Sequence, residues 1–99
     1  MNITSKQRSM LKGLAMALDP VFQIGKDSLS PELTNGVREA LEKRELIKIH
    51  VLKNCADDKK ELARILSERT GSEVVQVIGS MIVLFKYQKD REKRKIELD

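Results

Sequence analysis

Tryptophan is absent from this 99-residue chain, and Phe22, Phe85 and Tyr87 are its only aromatic residues. Phe22 and Phe85 sit in apolar runs that read as core, so a platform of rings for stacking unpaired bases is not expected. A lone cysteine, Cys55, excludes an internal disulfide. The lone histidine, His50, has no second histidine, paired cysteine or carboxylate pattern near it. Neither a metal site nor a catalytic base follows from it, and no cofactor is implied. Enzyme motifs are missing, and a chain this short leaves little depth for a closed catalytic pocket, so no small-molecule substrate is expected. No apolar run is long enough to span a bilayer and no signal-peptide core is present, which predicts a cytoplasmic protein.

Acid is missing from one place in particular. Residues 1–18 carry Lys6, Arg8 and Lys12 with no Asp or Glu, whereas the middle of the chain is close to balanced. The formal net charge is +4 and the isoelectric point near 9.3, a bias toward polyanionic partners. A membrane-surface helix is disfavoured because Trp and Phe are absent from this segment.

What is present reads as alternating helices and strands. Thr4 caps a helix with Met10, Leu11, Leu14, Ala15 and Leu18 on its apolar stripe, ended by Asp19-Pro20. Residues 21–24 form a short buried strand. A second helix starts at Pro31, with Leu33, Val37, Ala40 and Leu41 inward, and ends near Arg44. Gly36 weakens that helix unless something packs closely against it. Residues 46–52 alternate, placing Ile47, Ile49 and Val51 on one face and Lys48, His50 and Leu52 on the other. Asp57 or Asp58 caps a third helix built on Leu62, Ala63, Ile65 and Leu66 and stopped at Thr70-Gly71-Ser72. Two final strands flank Gly79-Ser80, a hairpin signal.

The expectation is a compact α/β (α+β) domain, α-β-α-β-α-β-β, with a four-stranded mixed sheet packed by three helices. The domain spans residues 1–87. Residues 88–99 alternate in charge and offer nothing to a core, which reads as a solvated tail or a helical extension ordered only on binding.

Strand, helix and strand in this order imply two parallel strands, and the loop after the first lies where open sheets bind ligands. That loop is Gly25-Lys26-Asp27-Ser28-Leu29-Ser30. Gly25 permits a sharp turn, Lys26 is a cation at its tip, and Ser30 with Pro31 starts a helix whose N–H groups and dipole favour phosphate.

The blocks Asp19-Pro20-Val21-Phe22-Gln23-Ile24-Gly25-Lys26, Leu29-Ser30-Pro31, residues 46–52 and Val75-Gln76-Val77-Ile78-Gly79 together resemble the bacterial YhbY-type CRM domain of chloroplast RNA splicing and ribosome maturation proteins. The resemblance covers nearly the whole chain. It implies a fold similar to the C-terminal domain of translation initiation factor three, and an RNA-binding role in ribosome biogenesis on precursors of the large ribosomal subunit. It also implies a GxxG loop comparable to the KH-domain clamp on a nucleic-acid backbone. Carried onto this chain, the loop is Gly25, Lys26, Asp27 and Ser28, with serine in place of the second glycine. If that position needs positive φ, serine costs roughly 1 kcal/mol or more, and its hydroxyl is available to a phosphate. The family's last strand ends in leucine, tyrosine and arginine; here Leu84-Phe85-Lys86 keeps the charge without the guanidinium fork.

The sequence therefore predicts a monomeric, non-enzymatic protein that binds ribosomal RNA. The expected contacts are Gly25, Lys26, Asp27 and Ser28, joined by Lys6, Arg8 and Lys12 on the same exposed surface, and Lys86. A protein-interaction module of the same fold, docking on a ribosome-associated protein, is the alternative.

Overall fold

The computed structural model describes residues 3–98. Helices α1 (Ser5–Ala15), α2 (Pro31–Arg44) and α3 (Lys59–Thr70) alternate with strands β1 (Phe22–Ile24) and β2 (Leu46–Val51), and the hairpin β3 (Glu73–Ile78) and β4 (Met81–Phe85) follows. Each helix begins where the sequence supplies an acceptor for orphan N–H groups. Thr4 and Gln7 form a reciprocal capping box, Leu33 N–H donates to Ser30 Oγ at 3.1 Å, and Glu61 N–H donates to Asp58 Oδ2 at 3.1 Å. Of the two aspartates offered by the sequence, Asp58 is the cap.

The sheet runs β1-β2-β4-β3, with β1 parallel to β2 and the other neighbours antiparallel. Strand alternation divides its side chains between two cores. Ile24, Ile47, Ile49, Val51, Ile82 and Leu84 pack with Val37, Leu41, Leu62 and Leu66, which places α2 and α3 on one face. Leu46, Val75, Val83 and Phe85 pack with Leu11 and Ala15, which places α1 on the other.

The apolar stripe of α1 is narrower than its spacing suggests. The helix ends at Ala15, and Met10, Leu14 and Leu18 stay exposed, because a single short helix touches the sheet along one line. In α2, Gly36 has the close neighbour that justifies it: an added Cβ would lie 3.0 Å from Phe22 Cε1. Thr34, also on the buried side of α2, has no hydrogen-bond partner for its hydroxyl among the described residues. Thr34→Val is therefore expected to raise stability by about 1 kcal/mol by removing a buried unpaired hydroxyl at equal volume. A urea titration that shows a loss would refute this.

The C-terminal segment departs from expectation. Instead of a solvated tail, residues 88–98 fold back beneath α1, where Ile96 and Leu98 pack against the core of that face. What draws them there is Glu45, 1% exposed, at the turn between α2 and β2. Its carboxylate accepts the N–H groups of Gln88 at 3.1 Å, Lys95 at 2.5 Å and Ile96 at 2.9 Å. Tyr87 completes the closure: its ring meets Phe85 edge-on, the Arg94 guanidinium lies over the ring 4.4 Å from its centre, and its hydroxyl accepts from Leu98 N–H. Charge alternation hid this segment because Ile96 and Leu98 are too few to make a pattern, and a buried carboxylate has no sequence signature.

No helix among the described residues is long and apolar enough to cross a membrane.

Candidate nucleic-acid interface

Pairing of Ile24 with Val51 and of Ile78 with Met81 puts the end of β1, the end of β2 and the β3–β4 hairpin at one end of the sheet. The loop after β1 emerges there. Ser28 N–H donates to Gly25 O at 3.0 Å, closing a tight turn that carries Lys26 and Asp27 exposed at its tip. The conformational demand falls on Ser28, whose φ is +55°, and not on Gly25. A Cβ on Gly25 would make ordinary contacts with Leu52 and Asn54 at 3.4 Å.

The start of α2 offers less to an anion than the sequence implies. Pro31 has no N–H, Ser30 Oγ takes the Leu33 N–H, Ser30 O takes that of Thr34, and the Glu32 side chain already complements the dipole. Lys26 is thus the dominant positive feature of the corner, with no partner among the described residues.

The remaining predicted cations are distributed unevenly. Arg8 is turned into the sheet: its guanidinium donates to Val74 O at 2.5 Å and Val75 O at 2.8 Å, where β3 bulges between Val74 and Gln76. Sequence reasoning missed this role because a bulge leaves no pattern in the chain. Lys86 is likewise committed, donating to Thr70 O at the end of α3 at 3.0 Å. On α1, helical spacing puts Lys6 on the side away from the sheet and Lys12 on a flank. The corner, Arg8 and Lys6 do not form the single patch expected of them.

Beside Ser28 on the helical side, a groove between the corner and α3 is lined by Leu29, Asp57, Asp58, Glu61 and Arg69. Arg64 engages both Glu61 and Glu68, and its hydrogen bond holds the Glu61 carboxyl below the usual range. That side of the corner is unfavourable to phosphate. Among the described residues, no group of three or more His, Cys, Asp or Glu is arranged to hold a metal ion.

The sequence profile of the CRS1 / YhbY (CRM) domain matches residues 3–86. The chain belongs to this family. It is 44% identical over 96 residues to the probable RNA-binding protein YqeI of Bacillus subtilis, covering 97% of this chain and 98% of that one. It is 32% identical over 96 residues to an RNA-binding protein of Haemophilus influenzae, covering 97% and 94%. The solution structure of the hypothetical protein SAV1595 from Staphylococcus aureus superposes with a TM-score of 0.79 at 49% identity, over 97% of this chain and 100% of the other.

In this CRM domain, Ser28, to which the resemblance assigns the place of a second loop glycine, stands in a left-handed conformation. Ser28→Gly is accordingly expected to stabilise the protein by about 1 kcal/mol, the relief of a side chain at positive φ less the added freedom of the unfolded chain. Equilibrium denaturation checks the sign, and a destabilised variant would show that the Ser28 side chain has a stabilising role.

Proposed function

We propose that this CRM domain is an RNA-binding protein that holds ribosomal RNA in precursors of the large ribosomal subunit, acting as a monomeric assembly factor in the cytoplasm. RNA binding is supported by the names of its relatives. The observation that carries the reading to a site is the exposed Lys26 turn at the end of β1, tightly closed and with its cation unpartnered among the described residues. Few aromatics and an excess of basic residues favour recognition through phosphates and RNA shape.

The test is binding to transcribed large-subunit ribosomal RNA by filter retention at several salt concentrations. Lys26→Glu is expected to weaken binding by about tenfold or more and to flatten the salt dependence by about one phosphate contact. Unchanged affinity would remove the corner from the interface. The acidic groove beside Ser28 favours one competing reading, a protein partner docked on that side. Co-purification that survives both nuclease and high salt would support the partner and count against RNA.

A further inference from the structure

We infer that bound RNA continues from the Lys26 turn across the half of the sheet that α1 leaves uncovered, and that Gln23, His50 and Lys48 contact it there. This rests on the RNA-binding reading above and extends it to residues outside the loop.

The placement follows from register. Because Ile47, Ile49 and Val51 pack toward α2 and α3, Lys48 and His50 project from the opposite face. On that face α1 covers Leu46, Val75, Val83 and Phe85, and Tyr87, Ile96 and Leu98 extend the cover around the same end. On the other half Lys48, His50 and Met81 are half-buried and lie outside the core that α1 covers. Across it, Gln23 pairs with His50, His50 with Met81, and Met81 with Ile78, giving one row over all four strands directly below the corner. Gln23 is exposed and Ile78 is 59% exposed, so neither end of the row is capped by another element. At an interstrand spacing of about 4.8 Å the row is about 14 Å long, enough for two or three bases.

Its chemistry suits an unpaired RNA strand. Gln23 and His50 donate and accept at base edges, the imidazole also offers a ring face, and Met81 and Ile78 give apolar support to bases or riboses. Cations bracket the row. Lys26 stands above it and Lys48 lies beside α1 below. Lys12 joins them, because Leu14 and Leu18, on the other flank of α1, face Arg44, Leu46 and Ile96 at the covered end. No carboxylate occurs in the row, and Asp27 stands beside Lys26 at its upper border; α2 and α3 present Glu32, Glu39, Glu42, Glu61 and Glu68 to solvent, interspersed with Lys43, Arg44, Lys60, Arg64 and Arg69. A phosphate chain therefore meets no carboxylate within the row, and mixed charge on the helical face.

The experiment compares Lys48→Gln/His50→Ala with Lys43→Gln/Lys60→Gln, which removes exposed lysines from the helical face. Both are measured by fluorescence anisotropy on a labelled fragment of large-subunit ribosomal RNA and on a 12-nucleotide unstructured RNA. The sheet variant is expected to bind about tenfold more weakly and the helical variant within about twofold of the parent chain. Equal losses in the two variants, or no loss in the sheet variant, overturn the inference. If the sheet variant binds normally while Lys26→Glu does not, the RNA reading stands and only the path is wrong; if the parent chain binds neither RNA, both fall. Ultraviolet crosslinking of the parent chain is independent of variant folding: adducts on residues 21–24 or 46–52 support the path, and adducts confined to α2 and α3 refute it.

Discussion

Replacing Glu45 with alanine is expected to lower the unfolding free energy by about 3 kcal/mol, because one buried carboxylate satisfies three backbone N–H groups and each is left without an acceptor. For a domain this size the melting temperature should fall by more than about 10 °C. The C-terminal segment should come loose with it. Its lysines and arginines, Lys89 to Lys95, then become accessible to trypsin at protease levels that leave the parent chain intact. Glu45 also has φ of +66°, so its backbone is strained whatever side chain it bears. Glu45→Gly separates the two effects: glycine relieves roughly 1 kcal/mol or more of strain while losing the same carboxylate, and should be less destabilising than alanine. A Glu45→Ala protein with unchanged melting temperature and a protected tail would show that the segment is held by its apolar residues alone.

The second large effect is at Arg8. Its guanidinium satisfies two carbonyls at the β3 bulge, one of them on the extra residue that the ladder leaves unpaired. Arg8→Ala is expected to cost about 2 kcal/mol of stability. The informative variant is Arg8→Lys, which keeps the charge but loses the planar fork. If Arg8 serves the bulge, lysine restores RNA affinity fully while recovering less than half of the lost stability. If its purpose is charge toward RNA, the alanine variant melts near the parent temperature but loses RNA affinity, which lysine restores. This pair of measurements separates a structural arginine from a binding one, which a charge reversal at the same position would confuse.

Local rules read the elements correctly because their signals lie within a few residues. Ser30-Pro31, Asp58 and Thr4 are caps, residues 46–52 alternate with the period of a strand, and Gly79-Ser80 links two β-branched runs. The order of elements then fixed which strands could lie parallel, and the loop after β1 was legible as the candidate corner on that basis. The α1 stripe is narrower than its spacing implies, since spacing says which residues share a side, and not how much of that side meets the sheet.

Hydrophobic period, turn chemistry and the blocks shared with CRM domains determined the fold and marked Lys26 and Ser28. Tertiary structure alone decided what the other charged residues do. Arg8 and Lys86 went to backbone carbonyls, Glu45 went inside to gather the C-terminal segment, and Lys48 and His50 were left on an uncovered sheet. The physical reason is that a charged side chain takes its role from whichever partner lies within hydrogen-bond reach, and those partners, as many as 67 residues away for Arg8, are brought near only by the packing of the whole chain.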